Sequence, residues 1–166
     1  MTSPRLRALR VAAPTPSPGG TPAARLRRFR GVPRTAAPVP GAAHGTPRTL
    51  LRLEGLAVLG GALIAYDQSG AGWGAFALLF LLPDLSMLGY LRGARTGALL
   101  YNAAHSYLGP AVLTAFGALA PQPVALTGGL IWLAHIGFDR MLGYGLKYPE
   151  GFGATHLGRI GRPDAW

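Results

Sequence analysis

Four apolar stretches dominate the chain after residue 49, and they constrain its fold more than any other sequence feature. In order, they cover about residues 50–66, 72–91, 97–120 and 124–143. A helix of roughly 20 residues crosses the hydrocarbon core of a bilayer, so the last three stretches are long enough. The first is marginal, because Arg52 and Glu54 lie in its opening turn. Short links favour antiparallel neighbours. The sequence therefore predicts an all-α fold, a four-helix transmembrane bundle.

The composition argues against an ordinary soluble enzyme. Of the 166 residues, 49% are hydrophobic and only 13% are charged, whereas soluble domains carry about 25% charged residues. The sequence contains no Cys, which excludes disulfides, thiolate metal sites and Cys nucleophiles. It also lacks a phosphate-binding loop, a dinucleotide-binding glycine motif and a serine nucleophile elbow. These observations leave a membrane protein as the expected class.

Residues 1–48 have a different composition from the remainder of the chain. They contain nine Arg and no Asp or Glu, with many Pro and few large apolar residues. Such a segment cannot bury enough apolar surface to become ordered. We expect a disordered Arg/Pro-rich tail, followed by a membrane domain over residues 49–166; an over-extended start is the alternative interpretation. The expected partners are the lipid bilayer and, through the tail, anionic lipid headgroups, which contribute about 1 kcal/mol per Arg. No nucleic-acid partner is expected.

Basic residues alternate between the two ends of the predicted bundle. The tail is basic, the first and third links contain no Arg or Lys, and the second link contains Arg92 and Arg95. The C-terminal segment is basic again. Because cytoplasmic loops are enriched in basic residues, both termini are predicted to be cytoplasmic. Fifteen Arg against one Lys, with abundant Ala, Gly and Pro, indicate a GC-rich bacterial genome and hence the bacterial inner membrane.

Ionisable side chains inside membrane helices are costly and need partners. The predicted helices contain six such residues. With the predicted topology and a rise of about 1.5 Å per residue, all six fall in the cytoplasmic half of the bundle: Glu54, Asp84, His105, His135, Asp139 and Arg140. Residues four apart on a helix share a face, and this spacing relates His135 to Asp139 and Tyr101 to His105. We therefore predict one polar cluster. For His156, in the C-terminal segment, we expect a surface or hydrogen-bonded structural role, and a lid over the cluster is the alternative. The members of the cluster are Glu54, Asp84, Tyr101, Asn102, His105, His135, Asp139, Arg140 and His156.

Asp and His chains also serve proton or small-solute movement in membrane proteins. Three other functions fit this cluster, and the residues alone leave all of them open. The first is a hydrogen-bonded structural or binding network that holds the helices in register. The second is a metal site formed by Asp84, His105, His135 and Asp139, a ligand set that suits Zn, Mn or Fe. With an open position, it would serve a membrane-bound metal-dependent hydrolase. The third is bis-histidine haem ligation by His105 and His135. The cofactor is therefore unknown, with a divalent metal as the candidate.

Several motifs resemble those of one known family. They are LRLEG at 51–55, PDLSMLGY at 83–90, YNAAH at 101–105, HIGFDRMLGYGLKYP at 135–149 and THLG at 155–158. Over about residues 50–162 the chain resembles small bacterial multi-pass membrane proteins catalogued as domain of unknown function 4260. The resemblance implies four membrane helices and no established activity. The order of Asp, His and His-x-x-x-Asp also resembles, by side-chain type only, membrane-bound metal-dependent hydrolases.

Overall fold

The computed structural model describes residues 38–161, and these residues are mostly helical. A short antiparallel hairpin follows the helices, with β1 at Ala154–Thr155 and β2 at Gly158–Arg159. The helices, in chain order, are α1 (Gly45–Gln68), α2 (Trp73–Leu79), a 3₁₀ helix (Leu82–Arg92), α3 (Ala94–Ala104), α4 (Leu108–Leu119) and α5 (Pro123–Leu142).

Two helical stretches are long and apolar enough to cross a membrane, judged by length and composition. They are Gly45–Gln68 and Trp73–Arg92. In the most apolar window of each stretch, only 17% and 6% of the residues are buried. Their apolar side chains therefore lie mostly on the outside of the protein, unlike those of a core helix.

The second apolar stretch is not one continuous α-helix, contrary to the expectation for residues 72–91. The α-helical part ends at Leu79, and the chain continues as a 3₁₀ helix from Leu82. Pro83 explains the change, because proline has no N–H with which to continue the α-helical ladder. The backbone N–H of Asp84 instead donates to the carbonyl of Leu81 at 3.1 Å, which is the three-residue spacing of a 3₁₀ helix.

The third stretch, predicted over 97–120, is likewise divided. It ends as α3 at Ala104 and resumes as α4 at Leu108, so that His105 lies in the interruption. Pro110 follows closely and cannot donate to the carbonyl of Ser106, four residues earlier. Each interruption therefore lies next to a proline, and the expectation of one continuous helix for each of these two stretches was wrong.

Helix α5 packs against both α1 and α4 and contains the largest share of the buried residues. Close approach depends on glycine. A Cβ atom added at Gly137 would lie 2.7 Å from the backbone nitrogen of Leu59 in α1. Gly129 meets Thr114 of α4 in the same way. Small residues at such crossings allow helix backbones to approach closely, and here they let α5 pack directly against α1 and α4.

A glycine ends α5 and turns the chain back over the helix ends. Gly143 has a left-handed backbone with φ of 98°, which glycine adopts at little cost. Its N–H donates to the carbonyls of Asp139 and Arg140, and the N–H of Tyr144 donates to the carbonyl of Asp139 at 2.8 Å. The segment from 143 to 161, which we call the C-terminal segment, begins at this turn.

The start of the described chain packs onto the C-terminal segment, which corrects the predicted tail boundary. Val39 is buried. The N–H of Ala43 donates to the carbonyl of His156 at 2.7 Å, and the hydroxyl of Tyr148 donates to the carbonyl of Gly41 at 3.1 Å. Helix α1 also starts at Gly45. A tail extending to residue 48 was therefore wrong for residues 38–48; the prediction for residues 1–37 lies outside the described residues.

Two truncations test this boundary. Deletion of residues 1–47 should lower the free energy of unfolding by about 2–4 kcal/mol relative to deletion of residues 1–37. The larger deletion removes the buried Val39 side chain and two hydrogen bonds. Denaturation of both proteins in the same mild detergent measures the difference. Equal stabilities would show that residues 38–47 contribute nothing to the fold.

Candidate metal centre

Four side chains from three helical elements converge on one point. Asp84 lies in the first turn of the 3₁₀ helix, His105 caps the C-terminal end of α3, and His135 and Asp139 lie one turn apart on α5. Each offers one potential ligand atom, and these atoms all lie within 4.8 Å of one another. Both imidazoles are buried, while the carboxylates are partly accessible.

Four distances between the candidate ligand atoms lie in a narrow range. His105 Nε2 lies 3.1 Å from His135 Nε2. The Oδ1 atom of Asp84 is 3.4 Å from His105 Nε2 and 3.6 Å from His135 Nε2. The Oδ2 atom of Asp139 is 3.7 Å from His105 Nε2. The three carboxylate distances therefore exceed the usual N–H···O hydrogen-bond length of about 2.7–3.2 Å.

These distances resemble the spacing of ligand atoms around a shared ion. Nitrogen and oxygen atoms at about 2.0–2.2 Å from a tetrahedral metal are separated by about 3.3–3.6 Å. Four of the six pairs span 3.1 to 3.7 Å, and the other two lie within 4.8 Å. The residues thus fit a small divalent metal in both ligand type and spacing.

Local contacts orient the imidazole of His105 toward this point. Its Nδ1 atom lies 2.9 Å from the carbonyl oxygen of Tyr101. Because a carbonyl only accepts hydrogen bonds, Nδ1 carries the proton, and in a neutral ring Nε2 presents its lone pair to the cluster. The ring of Tyr101 also stacks on the imidazole, with centroids 3.7 Å apart. A metal-binding histidine commonly has such an outer hydrogen bond.

Side chains from α5 donate hydrogen bonds to the backbone carbonyl groups at the end of α3. Trp132 Nε1 donates to the carbonyl of Ala104 at 2.6 Å, and Arg140 Nη2 donates to the carbonyl of His105 at 3.2 Å. Arg140 therefore supports His105 through the backbone carbonyl of His105.

Glu54 lies outside this set of contacts. Arg140 forms no salt bridge with Glu54 within residues 38–161. Glu54 is exposed, so its predicted membership of the cluster was wrong: its position on α1 directs it outward.

His135 and Asp139 make different contacts from those of His105. The ring of His135 packs edge-on against Phe80, with centroids 5.3 Å apart. Its Nδ1 atom has no hydrogen-bond partner in the described part of the chain. Asp139 accepts a hydrogen bond from the hydroxyl of Tyr101 at 3.1 Å. Tyr101 therefore contacts both a histidine and a carboxylate of the cluster, although it is not one of the four candidate metal ligands.

Asn102 and His156 organise the C-terminal segment and offer no atom to the cluster. The Asn102 amide donates to the carbonyl of Lys147 at 2.9 Å and accepts from the N–H of Lys147 at 2.7 Å. His156 Nδ1 accepts from the N–H of Leu146 at 2.8 Å, and burial lowers the pKa of His156. The lid hypothesis for His156 was therefore wrong, since its ring is engaged by the backbone of its own segment.

Lys147 is a site residue that the sequence analysis missed. Its side chain is buried, and its ammonium donates to the carbonyl of Phe152 at 3.0 Å. The ammonium also lies 3.6 Å from the ring centroid of Phe152 and 4.5 Å from that of Tyr101. Burial lowers the pKa of Lys147 to about 8. Its one sequence signal was that it is the single Lys among sixteen basic residues.

A cavity of about 420 Å³ connects Lys147 to the cluster. Asp84, Asp139 and Tyr101 line one part of it, and Lys147 and Phe152 of the C-terminal segment line another. The cavity thus reaches the carboxylate side of the candidate metal centre, whereas both imidazoles are buried behind it.

The lowered pKa of Lys147 predicts a pH-dependent stability. Between about pH 8 and the ordinary Lys value of about 10.4, the unfolded chain binds more protons than the folded one. The free energy of unfolding should therefore rise with pH across this window, by more in the wild type than in Lys147→Met. Denaturation of metal-free protein at pH 7.5, 8.5 and 9.5 measures the difference between them. Parallel profiles would contradict the prediction.

The comparisons with known proteins place the chain in a family. No curated protein and no solved structure matches it. One family model matches residues 48–160, which include every residue of the cluster and most of the C-terminal segment. That family is described as "Domain of unknown function (DUF4260)". Since the match covers more than half of the chain, this protein belongs to the DUF4260 family.

Proposed function

We propose that the protein is a multi-pass protein of the bacterial inner membrane that binds one divalent metal ion. Its ligands would be Asp84, His105, His135 and Asp139. The spacing of the four donor atoms carries this proposal, because all lie within 4.8 Å of one another. A hydrogen-bonded network of the same residues would place carboxylate oxygens nearer to the imidazole nitrogens than 3.4–3.7 Å.

Charge compensation supports a metal over a network without one. Asp84 and Asp139 place two carboxylates beside two buried imidazoles. The nearby guanidinium of Arg140 donates to the backbone carbonyls of His105 and Tyr144 rather than to these carboxylates. A divalent cation balances both negative charges at once. Two imidazoles with two carboxylates suit Zn, Mn or Fe.

The geometry fits haem poorly. Two axial imidazoles bind a haem iron from opposite faces of a flat macrocycle. The Nε2 atoms of His105 and His135 are only 3.1 Å apart. With bonds of about 2.0–2.1 Å, these atoms subtend about 100° at a shared ion, so no macrocycle fits between them.

A metal-dependent hydrolase is the second candidate, and the cavity favours it. A bound divalent ion acts as a Lewis acid and lowers the pKa of water. The 420 Å³ cavity reaches Asp84 and Asp139, so a substrate would approach the carboxylate side. One carboxylate could then hold the proton of an attacking water as a general base.

The outer surface and the distribution of basic residues support the membrane assignment. Large apolar side chains are exposed along α1, α2 and the 3₁₀ helix, where a bilayer would cover them. Contacts between Ala43 and His156, and between Tyr90 and Phe152, bring three segments to one end of the bundle. They are the segment before α1, the end of the 3₁₀ helix next to the second link, and the C-terminal segment. The basic residues assign this end to the cytoplasm. Anionic headgroups remain the proposed partner of the basic tail.

Metal analysis tests the proposal. Protein purified in mild detergent should contain about one equivalent of Zn, Mn or Fe. The His135→Ala variant should lose it, because one of four ligands is removed. His44→Ala is the matched control, since His44 is exposed at the start of α1. Elemental analysis of all three proteins gives the ratio of metal to protein.

Two results would overturn metal binding. One is a folded wild type that contains no metal and takes up no added Zn(II) or Co(II). The other is equal metal content in the wild type and His135→Ala. In a network without metal, His135→Gln should retain most of the stability, because glutamine keeps hydrogen-bonding groups at that position.

Reporter fusions test the orientation. Alkaline phosphatase fused after Trp166 should be inactive, because a cytoplasmic C-terminus keeps the enzyme out of the periplasm. The same enzyme inserted at Ser69 and Gly70, between α1 and α2, should be active. The opposite pattern would invert the orientation, and activity at both positions would contradict the three spans, an odd number, that the proposal places between them.

A further inference from the structure

The cavity beside the cluster has two chemically different walls. Asp84 and Asp139 form the wall on the side of the proposed metal. Lys147, from the C-terminal segment, lines the same cavity. Apolar side chains, among them Met87, Phe152 and Ile160, line much of the remainder. A ligand in this space would meet the metal, one ammonium group and an apolar surface.

The ammonium of Lys147 is positioned for a ligand but is only partly used by the protein. It has three N–H donors, and one donates to the carbonyl of Phe152. The aromatic rings of Tyr101 and Phe152 lie beside it. Neither ring is an anion, and no carboxylate within residues 38–161 lies within 4 Å of this ammonium. The remaining donors are free for a charged acceptor.

The charge of the occupied site favours an anion. Two carboxylates and a divalent metal sum to zero, and Lys147 then adds one positive charge. A positively charged, partly enclosed cavity attracts anions, and its low dielectric strengthens the attraction. The metal-free site would carry net negative charge instead. Anion binding should therefore depend on the metal.

We propose that this cavity binds an amphipathic oxyanion, with the anionic head between the metal and Lys147 and the apolar part against Phe152, Met87 and Ile160. The inference rests on the proposed metal site and names the ligand class of that site. A carboxylate and a phosphate monoester share this head-group chemistry. Each offers oxygen atoms that can contact both the metal and an ammonium group.

Cobalt substitution makes ligand binding visible without an activity assay. Metal-depleted protein in mild detergent is loaded with one equivalent of Co(II), and its visible absorption bands are recorded. Butanoate, monobutyl phosphate and butan-1-ol are then titrated separately. Both anions should shift the bands in a saturable way, whereas the neutral alcohol of the same chain length should not. The tighter of the two anions identifies carboxylate or phosphate as the preferred head group.

Two variants test the role of Lys147. Lys147→Met should still bind one equivalent of Co(II), which shows that the fold and the metal site persist. It should bind the anions about tenfold more weakly or worse, because a charge-assisted contact is lost. Arg159→Met is the matched control, since it removes an exposed charge from the same segment. It should bind both metal and anions like the wild type. If Lys147→Met loses Co(II), Lys147→Arg should retain both metal and anion binding by keeping the charge.

The outcomes separate this inference from the proposed function. A protein that binds no Co(II) contradicts the metal site and, with it, the inference. A protein that binds Co(II) but responds to neither anion, or responds equally to butan-1-ol, retains the metal site and overturns the inference. Equal anion affinities in the wild type and Lys147→Met would also overturn it. Acetate binding more weakly than butanoate would support the apolar contact.

Discussion

The interruption after α3 is the feature on which the candidate metal centre depends. Where a helix stops in apolar surroundings, its last carbonyl groups need new partners. The carbonyl of Ala104 accepts from Trp132, and that of His105 accepts from Arg140. The carbonyl of Tyr101, which accepts the helical N–H of His105, also contacts the ring of His105. The contacts that satisfy the helix end therefore also fix the imidazole and connect it to α5. The N–H of His105 still donates to the carbonyl of Tyr101, at 2.8 Å. Had the helix continued, the carbonyl of His105 would also have been bonded within it, and Arg140 would have had no free carbonyl there.

Sequence alone could predict the elements and the polar residues but not all of their partners. An apolar background makes each buried Asp and His conspicuous, and helical spacing is sufficient to place His135 and Asp139 on one face of α5. Three features depended on tertiary contacts instead. The outward direction of Glu54 follows from how α1 packs on α5. The end of α3 needs Trp132, which lies 28 residues away from Ala104. The packing of Val39 needs distant elements of the chain and leaves no periodic pattern in residues 38–44.

Burial and access are divided between the two ligand types. The imidazoles of His105 and His135 are almost completely buried, with exposures of 2% and 1%, whereas the carboxylate of Asp84 is 30% exposed. A neutral imidazole costs less to desolvate than a carboxylate. The imidazoles, which cost less to desolvate, therefore lie deepest in the protein, and the charged carboxylates lie beside the cavity. This division favours exchange of ligands on the carboxylate side while the histidines stay fixed.

Helix α3 connects the four candidate metal ligands to Lys147, which lines the same cavity. His105 at its end is a donor, whereas Asn102, one turn earlier, holds both backbone groups of Lys147. The main chain of Lys147 is therefore fixed relative to the cluster, and its side chain extends between two aromatic rings. The ammonium has donors in several directions, so that one can bind the carbonyl of Phe152 while the others face the cavity. The amide of Asn102 thus fixes the backbone of Lys147 relative to the candidate metal ligands without contacting any of them.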